Sequence, residues 1–413
     1  MLLLLPSYSG TLAAARCVGD HGISVTVAGQ QLLAPTRWSR HTTRWVRCPP
    51  VAQTREFLAW LLDFGRREPG HVLYPASDDL AWLLAANAAE LEQHFLMYQP
   101  PLETMVRLLD KKALHQACRS VGIDTVPTWF PESEADVSGP AGRMPLPLLI
   151  KARTQVLRAR QTKGNVVYVH DELLPHYRRF LKVDRYLPGI ADFGDVTRPI
   201  LQEFCAQASQ AVCSVTGFID RSGEMFVARG SVKILQRTSP VGLGVCFEAV
   251  PLDRALEDAV ARLCRDTGYF GVFEVEFLHV DGRWMAIDFN PRFYGQMGFE
   301  TQRGLPLALF AWLGATGNDS ELRERVAIAA RAPDGPARIY CHRFVFEMLV
   351  LVRWLTGRMA TSERNRWKAW YARHRAGAVD ASGDARDWLP GLVHSTSELL
   401  AGMRALPRVL SRD

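Results

Sequence analysis

"GVFEVEFLHVDGRWMAIDFNPR", residues 271–292, decides how the rest of the chain is read. Two runs that alternate apolar and polar residues flank an Asp-Gly pair, the strongest short signal for a β-hairpin. Glu276 on the first strand then lies across from Asp288 on the second, at one end of the sheet. Alternate side chains of an extended segment share a face, so Asp288, Asn290 and Arg292 project together. Two carboxylates and a carboxamide oxygen converging on one point suit Mg²⁺, which takes a few protein oxygens and completes its shell with water and phosphate. An arginine beside them suits phosphate. Either carboxylate alone reads as an ordinary rim charge. The constellation with Asn-Pro-Arg reads as a metal–phosphate site.

Outward from the hairpin, the pattern divides the chain into four stretches. Residues 1–105 alternate strand-like and helix-like runs: "MLLLLPS", "GTLAAARCVGDHG", "ISVTVAG", a loop containing "APTRWSRHTTRW", "TREFLAWLLDFGRRE", "HVLYPA" and "DDLAWLLAANAAELEQHF". Such alternation implies βαβ units in a doubly wound parallel sheet. Ligands of these sheets sit beyond the carboxyl ends of the strands, where "PSYSG" (Ser7, Ser9, Gly10) and "ASDD" (Ser77, Asp78, Asp79) fall. Residues 106–200 carry the helix "DKKALHQACRSVG", a Pro- and Gly-rich excursion, and strands such as "PLLIKA". Residues 201–312 hold further strands and the hairpin in a largely antiparallel α+β arrangement. From about residue 304 the chain turns helical, with no strand signal, so residues 313–413 read as a helical extension.

Composition sets the outer limits. The 413 residues are 48% hydrophobic and 22% charged, enough for two or three packed domains of ordinary globular type. A net charge of +6 fits anionic small molecules and gives no indication of nucleic acid. "MLLLLPSYSG" is too short and lacks the basic residues of a signal peptide, and "FVFEMLVLVRWL" is too short and too charged to span a bilayer. The eight cysteines show no CxxC pair. They read as core thiols in a reducing compartment, the protein as cytoplasmic and without structural zinc.

"IDFNPR" preceded by "GVFEVEF" resembles the metal-binding hairpin of the ATP-grasp superfamily, above all members similar to the carbamoyl-phosphate synthase large subunit and to carboxylate–amine ligases. The resemblance implies the superfamily's order: a Rossmann-like pre-ATP-grasp domain (1–105), a linker helix with the small lobe (106–200, lid loop 152–165), and a large lobe (201–312). The remainder, 313–413, is then a helical C-terminal extension. It implies ATP and Mg²⁺ as cofactors, with Mn²⁺ as the alternative ion, and Glu276, Asp288 and Asn290 as metal ligands. "LDKKALHQACRSVGIDTVP" supplies Lys111, or Lys112 in its stead, for a phosphate; "PLLIKA" supplies Lys151 for the α-phosphate and adenine. "ILQEFCA" places Glu203 and the backbone of Phe204 and Cys205 at the adenine edge, with Gln210 near the ribose position. Lys233 and Arg237 are further phosphate ligands. Arg292 holds the acyl-phosphate and serves catalysis, and Ser9, Gly10, Asp78 and Arg292 meet the substrate.

Two departures stand out. The hairpin carries Asp288 where the superfamily usually has Glu. The lid "RTQVLRARQTKGN" has one glycine, Gly164, and four cations, Arg153, Arg158, Arg160 and Lys163. These neutralise phosphates in place of backbone N–H groups, shape the lid around an anionic acceptor, or impair turnover. The implied activity is joining a carboxylate, an amino acid among the options, to an amine through an acyl-phosphate. A kinase, a carboxylase-type enzyme and a nucleotide-binding protein without turnover remain alternatives, and a homodimer stays open. The basic, aromatic "RNRWKAWYARHRAG" reads first as a helix packed on its own lobe through Trp367, Trp370 and Tyr371, and second as a membrane- or partner-binding face.

Overall fold

The computed structural model describes residues 1–139, 144–159, 164–206, 211–238 and 241–410, with residues 404–410 as backbone only. Gln210, Arg160 and Lys163 lie outside the described residues. The chain opens with β1 (Leu2–Leu3), α1 (Ser9–Gly19), β2 (Val25–Gly29), β3 (Thr42–Arg47), α2 (Thr54–Arg67), β4 (His71–Leu73), α3 (Asp78–Ala86), α4 (Ala88–Leu91) and β5 (Phe95–Met97). Its five strands form a parallel sheet in the order β3-β2-β1-β4-β5. The order reverses between β1 and β4, which opens a crevice at their carboxyl ends. The Ser77 side chain caps α3 there by accepting from the Leu80 N–H.

Two strands here correct the sequence reading. β3, inside the expected loop, is an edge strand whose exposure follows no two-residue period. β5 begins where the pattern shows only the tail of a helix. That helix breaks at Asn87, whose amide turns back to the Leu83 carbonyl (2.8 Å).

Next come α5 (Leu102–Leu109), α6 (Lys111–Ser120), β6 (Asp124–Thr125), β7 (Thr128–Trp129), α7 (Glu134–Ser138), β8 (Leu148–Lys151), β9 (Asn165–Val167), α8 (His170–Val183) and β10 (Ile200–Glu203). Asp110 caps α6, accepting from the Lys112 N–H (3.1 Å), which fixes Lys111 as the first helical residue. A small antiparallel sheet has the order β7-β10-β8-β9 and is covered by Leu173, Tyr177 and Phe180 of α8.

The remainder is β11 (Val212–Ile219), β12 (Phe226–Gln236), β13 (Gly244–Val250), α9 (Arg254–Thr267), β14 (Gly271–Val280), β15 (Arg283–Asn290), α10 (Met297–Gln302), α11 (Leu307–Ala315), α12 (Asp319–Arg331), β16 (Ile339–Cys341), α13 (Arg343–Leu355), α14 (Thr361–His374), β17 (Ala378–Asp380) and α15 (Leu389–Leu410). A large sheet runs β17-β16-β13-β12-β11-β14-β15-β6. The expectation of no strand beyond about residue 304 is therefore corrected: β16 and β17 extend this sheet at its edge, each too short for periodicity to register.

The β14–β15 turn is Asp281-Gly282, both at positive φ (49° and 76°), the signature of a type I′ hairpin. Trp367, Trp370 and Tyr371 of α14 pack on Phe346 at ring distances of 6.3, 6.0 and 5.6 Å, so that helix's aromatic face is used internally. Buried Asp387 ties the C-terminal stretch to the first sheet. It accepts from Arg16 (2.8 Å), the Ser39 hydroxyl (2.7 Å) and the Arg40 N–H (2.8 Å).

Candidate active site

The hairpin registers Glu276 opposite Asp288 and Glu274 opposite Asn290. The pairing shifts directly after Glu276, where Ile287 is the extra residue of a bulge; bulges re-aim side chains near functional sites. Lys111 Nζ donates to Asp288 Oδ1 at 2.6 Å and Lys233 Nζ to Glu276 Oε1 at 3.1 Å, both lysines being buried. Lys112 points elsewhere, to Glu132 (3.5 Å), so of the neighbouring pair Lys111 is the one at the hairpin.

Arg292 is positioned on three sides. Its Nε donates to Asp78 Oδ1 (2.5 Å), one terminal nitrogen to Asn290 Oδ1 (2.7 Å), and the other to the Phe293 carbonyl (3.1 Å). Asn290 in turn donates to Glu274 Oε2 (3.0 Å). Ser9 donates to the Gly295 carbonyl (2.9 Å). Gly10 serves packing: a Cβ there would stand 2.4 Å from the Tyr294 carbonyl oxygen.

Three cavities adjoin one another. The first, ≈ 80 Å³, sits between the small and large sheets and is lined by Lys111, Lys151, Glu203, Phe204, Cys205 and Lys233. The second, ≈ 290 Å³, shares Lys233, Glu276 and Asp288 with it and adds Ser9, Asn290 and Arg292. The third, ≈ 480 Å³, opens at the crevice of the first sheet, with Asp78, Asp79 and an apolar floor of Cys48, Val51 and Phe57. Ser7, Tyr8, Leu243 and Arg292 line both larger cavities, so the guanidinium stands where they meet. The N–H groups of Glu203 and Phe204 donate to the carbonyls of Pro127 and Pro147 (2.9 Å each), so these two are spent on the strand edges. Arg237 lines the second cavity and pairs with Glu398 (2.6 Å). In the lid, Arg153 is gripped by Asp110 and Arg158 by Asp184 (2.8 Å).

Sequence reasoning missed Glu274 and its partners. Its carboxylate accepts from Ser214 (2.9 Å), Gln296 and Asn290, and burial, with the Glu276 charge adding to it, raises its pKa. The signal was present in the alternation Glu274-Val275-Glu276, which puts both carboxylates on one face. Tyr8, with its hydroxyl 3.4 Å from Arg292, carried no such signal.

A doubly wound sheet, a small antiparallel sheet and a large one, with this site between them, make up the ATP-grasp fold. Solved structures match it. An L-amino acid ligase from Bacillus licheniformis superposes with a TM-score of 0.61 at 14% identity, over 76% of this chain and 74% of that one. The biotin carboxylase domain of a Hydrogenobacter thermophilus 2-oxoglutarate carboxylase, solved as a dimer with MgADP, ADP and bicarbonate, gives 0.60 at 14%, over 76% and 69%. N5-carboxyaminoimidazole ribonucleotide synthetase from Thermus thermophilus gives 0.57 at 16%, over 77% and 78%. At these identities the likeness is one of fold. No family model and no curated protein matches the chain. Among the described residues no helix is long and apolar enough to cross a membrane.

Proposed function

We propose that this chain is an ATP- and Mg²⁺-dependent ligase that joins a small carboxylate to an amine through an acyl-phosphate. The observation that carries this is the set of adjoining cavities: six of the residues assigned to the nucleotide, Gln210 and Arg237 apart, border one space, which opens through Glu276 and Asp288 onto Arg292. A volume of ≈ 80 Å³ is far below the roughly 300–1,000 Å³ of a small-molecule site, so a nucleotide would widen this compartment or extend into the second cavity that it opens onto. Lys111, Lys151 and Lys233 then meet the phosphates.

Glu276, Asp288 and Asn290 would hold Mg²⁺, or Mn²⁺ in its place. The donor chemistry fits, two carboxylates in register with a carboxamide oxygen nearby; Lys111 and Lys233, which now pair with the carboxylates, would have to give way to the ion. The bound ion supplies electrostatic relief to the phosphoryl group in transfer. Arg292, braced by Asp78 and Asn290, orients the substrate carboxylate for attack on the γ-phosphorus and then faces the oxyanion formed at the acyl carbon. The amine displaces phosphate. The L-amino acid ligase likeness makes amino acids the first substrates to try.

A carboxylase-type reading draws on the biotin carboxylase likeness of the same extent. Both readings are separated by ADP release from MgATP across an array of amino acids, other carboxylates and bicarbonate, for wild type beside Asp288→Ala. The ligase reading expects release that needs a carboxylate together with an amine and falls about 100-fold or more in the variant. Release with bicarbonate or a carboxylate alone would overturn it in favour of a carboxylase or an acyl kinase. ATP binding without release under every pairing would favour the non-catalytic reading.

A further inference from the structure

The two larger cavities differ in character. The second is walled by the hairpin carboxylates and, from the C-terminal stretch, by His342 and His394. The third, ≈ 480 Å³, has a mainly apolar surface with its charges gathered at one end. Strand order explains this division. Leu5 follows β1, Cys48 and Val51 follow β3, and Phe57 comes from α2, and all four line the cavity. Asp78 and Asp79 follow β4, on the other side of β1, and there Asp78 holds Arg292 (2.5 Å). From the charged end the apolar residues therefore extend over one to three strand spacings of about 4.8 Å each. Leu5 stands at φ 56°, a left-handed conformation uncommon outside glycine. The Tyr8 N–H closes the turn on the Leu5 carbonyl (3.0 Å), which brings Ser7 and Tyr8 into the cavity wall. Backbone strain of this kind collects at binding sites.

We infer that the ≈ 480 Å³ cavity takes the carboxylate substrate, and that this substrate is an α-amino acid with a bulky apolar side chain. Arg292 receives its carboxylate, Asp78 and Asp79 its ammonium group, and the floor of Leu5, Cys48, Val51 and Phe57 its side chain. The inference rests on the ligase reading and narrows its substrate.

Each part of the site has capacity to spare. A guanidinium has five N–H donors, and Arg292 spends Nε on Asp78 and one bond from each terminal nitrogen on Asn290 and on the Phe293 carbonyl. N–H groups remain for a carboxylate. Asp78 gives Oδ1 to Arg292 and Asp79 gives Oδ1 to the Leu157 N–H, and among the described residues no hydrogen bond reaches the second oxygen of either. A zwitterion adds one charge of each sign beside these groups, whereas a simple fatty acid adds a third carboxylate against one guanidinium. Burial and the Asp78 charge already push the Asp79 carboxyl up to about 6, a pressure that an ammonium beside the pair relieves. The volume lies within the roughly 300–1,000 Å³ of small-molecule sites, and its apolar floor offers nothing to bicarbonate.

Excess hydroxylamine traps an activated carboxyl as its hydroxamate whatever the natural amine, so it reads the carboxylate subsite by itself. Wild type with MgATP and hydroxylamine is given alanine, leucine, phenylalanine, serine, aspartate, lysine and 4-methylpentanoate, the leucine skeleton without its amino group. The kcat/KM of hydroxamate formation is expected to rise about 100-fold from alanine to the better of leucine and phenylalanine. Serine, aspartate and lysine should stay at or below alanine, and 4-methylpentanoate at least about tenfold below leucine. Any of these four matching leucine overturns the inference. Val51→Phe narrows the floor and should cut the preference for the larger side chains over alanine about tenfold or more; an unchanged preference at an unchanged melting temperature counts against it. Should that variant melt well below wild type, Val51→Ala is read instead, with the optimum moving to a larger side chain, and an unchanged order counts the same way. No hydroxamate from wild type with any carboxylate sinks the ligase reading itself, whereas hydroxamate without the apolar order sinks this inference alone.

Discussion

Asp79 accepts the Leu157 N–H at 2.6 Å from a half-buried position beside Asp78. Burial, with the Asp78 charge adding to it, pushes its carboxyl up to about 6. Its folded value therefore lies above its unfolded one, and the stability it contributes is full below about pH 4 and lost as pH rises through about 6. Asp79→Asn keeps an acceptor for Leu157 without the charge. It should be more stable than wild type at pH 7.5, by no more than about 3 kcal/mol, and nearly equal at pH 3.5. Urea unfolding at the two pH values measures this, and a difference that does not change with pH would refute it. The residue scale also shows what a sequence reveals. Lys111, Lys151, Glu203 and Asp288 were legible because a strand end or a helix start fixes where each side chain goes. Glu274 was not, because a charged residue in a strand reads as rim until packing shows it buried beneath Ser214 and Gln296.

Among the elements, the hairpin was the most legible, because its turn chemistry and its alternation agree. Gly282 sits at φ 76° with open space where a Cβ would stand, so conformation alone decides the effect of a substitution there. Gly282→Val should cost about 1–2 kcal/mol, read as a shifted denaturation midpoint with an unchanged slope. A shift too small to resolve would mean the turn does not need its left-handed pair. The elements that escaped were β3, β5, β16 and β17. All lie at or next to sheet edges, and β5, β16 and β17 have three residues each, while a period needs length to be seen. The helices α2 and α9, at fourteen residues each, were legible nearly to their ends.

Across the whole molecule, the order of the three sheets was visible from the change of pattern along the chain. The C-terminal contribution was not, since His342 and His394 stand far apart in sequence and meet only when α13 and α15 pack side by side. The hairpin carboxylates show the same assembly by distant parts: one lysine comes from α6 and the other from β12, both lining the cavity between the small and large sheets. The resting protein thus carries its own counterions. On the proposed function, loading it would amount to an ion exchange, in which phosphates take the ammonium groups while a divalent cation takes the carboxylates. The ion alone would strand two buried ammonium groups and the nucleotide alone two half-buried carboxylates, both unfavourable. Metal and nucleotide should therefore enter as a pair: calorimetry is expected to show strong MgATP binding but little for Mg²⁺ alone or for ATP with chelator. Equal affinity for ATP with and without the ion would show that the lysines are not exchanged.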